Sequence, residues 1–159
     1  MANNSLIAAV TDHGLLRGLD PHYVHKLAAL ASEAHYAPGQ VIFKENDTVR
    51  LFYLILSGSV VLEIEGSAQQ IETEIRDGGD GMGWSALLGY EPKHLQARTL
   101  TDVRVVAFEG KRLRKACDND PAFGCALMKR LLEIHKESAR RACVAGFRSL
   151  VSSRAATAG

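Results

Sequence analysis

The amino-acid sequence predicts a mainly β protein: a β-roll or jelly roll of about eight short strands, with N-terminal helices before it and a long C-terminal helix after it. Three observations carry that reading. Between residues 33 and 110 the chain runs in short apolar stretches separated by glycine, proline and small polar residues, with no helical repeat between them. On either side of this block an Asp-Pro pair, Asp20-Pro21 and Asp120-Pro121, supplies an N-cap and a proline at the first helical position. After Pro121 apolar residues return at the spacing of a helix face. The expected organisation is an N-terminal helical segment over 1–32, the roll over 33–110, C-terminal helices over 111–148, and a small, polar, disordered tail over 149–159.

Taken in order, residues 5–19 hold Leu6-Ile7-Ala8-Ala9-Val10 and Leu15-Leu16, interrupted by Gly14 and Gly18, which predicts a short helix and then an irregular turn. The helix opened by Pro21 runs to about Ala31, with Val24, Leu27, Ala28 and Leu30 on its apolar side. Pro38-Gly39 turns the chain into Val41-Ile42-Phe43, Ser57-Gly58 separates the apolar run 51–56 from 60–65, and Gly66-Ser67 begins the next turn. Ile71, Thr73 and Ile75 alternate with Glu72, Glu74 and Arg76, the period of a strand with one wet face. Residues 95–100 and 103–108 complete the roll, and 111–117 make a short helix. The helix from Pro121 reaches about Val144 and ends near Gly146. On it Leu127, Leu131 and Ile134 form one stripe, and Met128, Leu132, His135, Ala139 and Ala142 an adjacent one. Either one stripe covers the roll while the other packs on a second copy of the helix, or both belong to one wide core face.

At 159 residues and 47% hydrophobic, the chain can bury one core but not two full-sized ones. No apolar run approaches the roughly 18 residues that cross a bilayer, and Met1-Ala2-Asn3-Asn4-Ser5 lacks the basic start of a leader, so a cytoplasmic protein without membrane contact is expected. Cys117, Cys125 and Cys143 suggest neither a disulfide framework nor a zinc site. His22 and His25 lie one turn apart without a third ligand, which suits solvent-facing or capping groups better than a metal. No Ser-His-Asp order, Walker loop or carboxylate-histidine metal set is present, so no enzyme is expected. Up to residue 109 there are 8 basic against 14 acidic residues, and beyond it 11 against 4. A basic helix lying against its own acidic domain accounts for this asymmetry without a polyanionic partner.

The stretch around residues 79–89 has chemistry of its own. Gly79, Gly81, Gly83 and Gly89 bracket an apolar run from Trp84 to Leu88, long enough for one helical turn. The start of such a turn exposes N–H groups which, beside a cation, form a concavity for a phosphate; alone, the same glycines make a tight loop and no more.

With these motifs assembled, residues 14–145 resemble the cyclic nucleotide-binding domain of catabolite activator proteins, of the regulatory subunits of cyclic-AMP-dependent kinase, and of cyclic-nucleotide-gated channels. The resemblance is carried by Tyr36-Ala37-Pro38-Gly39-Gln40-Val41-Ile42-Phe43-Lys44-Glu45-Asn46-Asp47, by Leu51-Phe52-Tyr53-Leu54-Ile55-Leu56-Ser57-Gly58-Ser59-Val60, and by Arg98-Thr99-Leu100-Thr101-Asp102. It implies a β-roll and a helical bundle from both termini that moves when ligand enters the phosphate-binding cassette. In ligand-binding relatives a glutamate after the cassette glycine takes the ribose 2′-hydroxyl, an arginine further on pairs with the cyclic phosphate, and N–H groups of the short helix complete the site. Here Gly83 matches the glycine, Trp84 stands at the glutamate and Lys93 at the phosphate arginine, while Asn46 replaces a turn glycine. The resemblance thus implies a ligand-binding set of Gly83, Trp84, Ser85, Ala86, Lys93, His94 and Gln96. An indole cannot accept from a ribose hydroxyl; it stacks on an aromatic ligand or fills the pocket. Lys93 offers a point charge in place of a bidentate guanidinium, and Arg98 is expected to serve the fold rather than the ligand.

Two functions are compatible with these residues. One is a stand-alone sensor that binds cyclic AMP, cyclic GMP or another small anion through an altered cassette. The alternative is a homodimeric protein-interaction module, joined through the helix after Pro121, with a degenerate pocket that binds no nucleotide. Transcription-activating relatives carry a helix-turn-helix after the long helix; about fifteen residues follow Val144, too few for one, so specific DNA binding is not expected.

Overall fold

The computed structural model of the chain describes residues 2–14, 16–48, 50–65, 70–89 and 95–157. Helix α1 (Ala2–Asp12) leads through a turn into α2 (Pro21–Ala28). The start of α2 is the one its sequence specifies, the Asp20 carboxylate accepting from the His22 N–H at 2.8 Å. Its end falls short of Ala31, because that residue already opens strand β1 (Ala31–Tyr36). Then follow β2 (Val41–Phe43), β3 (Leu51–Ser57), β4 (Ser59–Glu65), β5 (Gln70–Asp77), β6 (Gly81–Met82), the single-turn helix α3 (Ser85–Leu88), β7 (Gln96–Thr99) and β8 (Val103–Glu109). Asn46, between β2 and β3, has φ +67°, the left-handed conformation expected of it.

The strands form two antiparallel four-stranded sheets, in the orders β1-β8-β3-β6 and β2-β7-β4-β5. Tyr53, Ile55, Val60, Leu62, Met82, Ala97, Val103, Val105 and Ala107 pack between them. The alternate residues Phe52, Leu54, Val106 and Phe108 project from the other face of the first sheet. There they meet Val10, Leu16, Val24, Leu27, Leu113, Phe123, Leu127 and Leu131 of the helical layer. This is why 51–56 reads as an unbroken apolar run: β3 and β8 are buried on both faces, and alternation is lost. Each large side chain so buried contributes about 1.5–3 kcal/mol.

Strand β5 departs from its sequence pattern. Its pairing with β4 slips between Leu62 and Glu63, so that Glu74 lies opposite Leu62 while Glu72 lies opposite Glu63. A one-residue slip exchanges the two faces of a strand. Arg76 consequently sits opposite Val60 and is 7% exposed, whereas Ile75 is 51% exposed. The face expected to be wet is the one turned inward at this end of β5.

Beyond β8 come α4 (Gly110–Asn119) and α5 (Pro121–Thr157). The Asp120 carboxylate caps α5 by accepting from the Phe123 N–H at 3.1 Å and binds Lys26 of α2 at 2.6 Å. Helix α5 does not end near Gly146, and the segment expected to be a disordered tail is helical through Thr157. A lone interior glycine costs about 1 kcal/mol relative to alanine, which by itself is too little to stop a helix. His22 and His25 are exposed on α2. No helix among the described residues is long and apolar enough to cross a membrane.

Candidate functional site

The turn between β6 and β7 is built around two left-handed glycines. Gly83 has φ +86°, and a Cβ on it would meet the Leu51 carbonyl oxygen at 2.5 Å, so the position admits glycine alone. From there Ala86 N–H bonds Gly83 O at 2.9 Å and Leu87 N–H bonds Trp84 O at 3.0 Å, closing α3, which Gly89 terminates at φ +106°. Helix α3 is seated on the start of α4: Gly110 leaves no room for a Cβ beside Ala86 O, and the Arg114 guanidinium donates to the same carbonyl. Helix α3 and the start of α4 are thus in direct contact.

Of the residues named from the sequence, Gly83, Trp84, Ser85 and Ala86 are contiguous in this turn, while Lys93 and His94 lie outside the described residues. Gln96 pairs with Glu63 on β4 and alternates with the inward Ala97, so it is on the face of its sheet turned away from the roll interior. The Trp84 side chain packs against the apolar cluster between the first sheet and the helices. Its ring lies 5.0 Å from Phe52 and 5.4 Å from His135 of α5, on the helix side of the first sheet. The indole N–H and the Ser85 hydroxyl are buried without a partner among the described residues. Arg98 belongs to the fold: it donates to fully buried Glu63 at 2.6 Å.

Several residues that shape the site were not singled out from the sequence. Asp80, just before the cassette, accepts from the Asp77 N–H at 3.0 Å and from Arg141 of α5 at 2.5 Å. The hydrogen bond to Asp80 raises the Arg141 pKa above its ordinary value, and the nearby Glu137 and Glu74 charges add to that. On β5 the inward Arg76 donates to Glu74 through Nη2 at 2.8 Å, and its Nε and Nη1 are buried and unpartnered. Nothing short of the strand register could have revealed Arg76, since its neighbours in sequence suggest solvent. Among the described residues the turn is thus bordered by two ion pairs, Arg141 with Asp80 and Arg76 with Glu74, and by the buried donors of Trp84 and Ser85.

Similarity to known proteins agrees with this geometry. The profile of a family described as the cyclic nucleotide-binding domain matches residues 33–120. The chain is 33% identical over 91 residues to the cAMP-dependent protein kinase regulatory subunit of Emericella nidulans, across 57% of this chain and 22% of that protein. It thus spans about a fifth of that relative's length. Among solved structures, a Geobacter metallireducens protein named for cyclic nucleotide binding superposes with a TM-score of 0.72 at 26% identity, covering 87% of this chain and 98% of the other. The regulatory subunit of a cAMP-independent protein kinase A from Trypanosoma brucei gives a TM-score of 0.69 at 18% identity, over 87% of this chain and 47% of its own, a likeness of fold.

Proposed function

The chain belongs to the cyclic nucleotide-binding domain family, and on that premise we propose that it is a sensor whose altered cassette binds a cyclic nucleotide or another small anion and whose C-terminal helices carry the bound state to a partner protein. The observation that carries this reading is the grip of α5 on the cassette, His135 against Trp84 and Arg141 on Asp80, with Arg114 of α4 holding Ala86 between them. A ligand that shifts the turn at residues 83–86 has to disturb both helices. Trp84 leaves the ribose hydroxyls without the acceptor that the family uses, so recognition falls on the phosphate, with Lys93 as its cation, and on groups lining the roll.

Thermal unfolding with millimolar cyclic AMP, cyclic GMP and the linear 5′-nucleotides tests the proposal. Ligand at a hundredfold excess over its Kd stabilises the folded state by about 2.7 kcal/mol, several degrees in Tm for a chain of this size. A cyclic nucleotide is expected to raise Tm and a linear one to leave it unchanged, with the rise reduced in Lys93→Ala. Equal Tm values with and without every cyclic nucleotide would remove cyclic nucleotides as the ligand, and equal values with inorganic phosphate and sulfate as well would remove the sensor reading.

The second reading, a homodimeric interaction module, is favoured by one observation: Met128, Leu132 and Val144 of α5 are exposed, Leu132 to 66%. Under it, light scattering gives a dimer for the unliganded chain and a monomer for Leu132→Glu; a wild-type monomer at micromolar concentration would set it aside.

A further inference from the structure

A cleft lies away from the cassette, between the N-terminal helix and the roll. It measures about 500 Å³, within the range usual for small-molecule sites, and none of residues 83–86 lines it. Ser5, Ala9 and Asp12 recur along α1 at the spacing of one helix face and line it from one side. Leu56 of β3, Gly79 of the turn after β5 and Arg104 of β8 line it from the roll. The two sides are tied to one atom. His13, directly after α1, donates through Nε2 to Ile55 O at 3.0 Å, and the Gly79 N–H bonds the same oxygen at 2.8 Å. The walls are thereby fixed to each other, and a preformed cleft lowers the ordering cost of binding. Gly14 and Gly79 keep it clear, since a Cβ on either would meet no atom within 4 Å.

The charges in this cleft are opposite and apart. Arg104 gives Nε and Nη2 to Glu33, Nε at 3.1 Å, which leaves Nη1 without an acceptor among the described residues. Among the same residues the Asp12 carboxylate has no ion-pair partner, and it is not joined to Arg104 although both line one cleft. An ammonium answers the carboxylate, and a carboxylate answers the guanidinium. A simple anion would be repelled by Asp12 and a simple cation by Arg104. Ala9 and Leu56 add apolar surface.

We infer that this cleft is a second ligand site, which takes a small zwitterion with an apolar side chain, a free α-amino acid or a short peptide. Its ammonium lies on Asp12, its carboxylate on Arg104 Nη1, and its side chain on Ala9 and Leu56. The site stands whether or not the cassette binds a nucleotide. Its occupant rests against the turn that Asp80 completes, and Asp80 holds Arg141 of α5.

Calorimetric titration of the full chain with leucine and with the dipeptide Ala-Leu tests the inference, with their N-acetylated and C-amidated forms as controls that each lack one charge. Binding of leucine, Ala-Leu or both is expected, the tighter one showing which source the cleft suits, and each control is expected to bind at least roughly tenfold more weakly than its parent. Asp12→Asn should weaken binding by a similar factor, and Gly14→Leu, which fills the cleft from a position where a Cβ has room, should abolish it; circular dichroism checks that both variants are folded. No binding of either ligand by the wild type, a control that binds as tightly as its parent, or full affinity retained in both folded variants overturns the inference and leaves the sensor reading standing.

Discussion

The Arg98 guanidinium donates to Glu63 at 2.6 Å, and Glu63 has no solvent exposure. Removing one partner of a buried pair leaves the other uncompensated, which costs about 3–5 kcal/mol when both are fully buried. Because the Arg98 side chain is 32% exposed, Arg98→Ala is expected to lose less, roughly 2–3 kcal/mol by urea unfolding, with nucleotide affinity nearly unchanged. A variant with wild-type stability and lost affinity would make Arg98 a ligand residue. The ion pair with Glu63 fits the expectation that Arg98 serves the fold, which came from aligning residues 98–102 with the family strand. For Trp84 sequence reasoning fell short. An indole has no acceptor to offer a ribose, and that much is chemistry; that the ring turns toward Phe52 and His135 depends on elements distant in the chain.

At the scale of elements, capping and turn chemistry were legible and strand phase was not. Asp20-Pro21 and Asp120-Pro121 start α2 and α5 as their local chemistry requires. Asp120 does more than cap, since it also binds Lys26, and these bonds, the Lys26 one foremost, hold its carboxyl below the usual value of 3.8. A depressed carboxyl pKa contributes stability that is present above the unfolded pKa and lost as pH falls through the folded one. Asp120→Ala should therefore lower Tm at neutral pH and flatten the decline of Tm below pH 3.8. An unaltered acid profile would show that the bond to Lys26 contributes little in solution. The slip between β4 and β5 has no such local signature. Glu74 and Arg76 look like a wet face by period alone, and only the partner strand shows that they point inward.

Across the whole molecule, the N-terminal helix is joined to the roll through His13, which follows α1. Its Nε2 donates to Ile55 O at 3.0 Å, and the side chain is buried beside a cleft of about 500 Å³ that also contains Asp12, Gly79 and Arg104. Burial lowers the His13 pKa below its ordinary 6.5, partly opposed by the bond to Ile55 and by the Asp80 charge. Between the folded and unfolded pKa values only the unfolded chain takes the extra proton, so stability rises with pH there. It is complete above 6.5 and declines as the pH falls from 6.5 toward the folded value. His13→Asn keeps a donor and removes the titration, and its Tm is expected to be flatter than wild type over that interval. Identical slopes would mean that His13 is already solvated in the native state. Since the Asp80 carboxylate also holds Arg141, protonation of His13 would be felt at the contact between α5 and the cassette.

The sequence alone determined the β-roll between helices and the two capped helix starts, and its resemblance supplied the expectation of a cassette at Gly83 with Trp84 at the acceptor position. These follow from local signals: turn residues, caps, short runs and residue chemistry at one aligned position. Tertiary structure alone decided which way Trp84 faces, that Arg76 is buried, that Asp80 meets Arg141 across the fold, and that α5 continues past Gly146. Each of these is set by a partner element brought in from far along the chain, whose register and packing override local period and propensity.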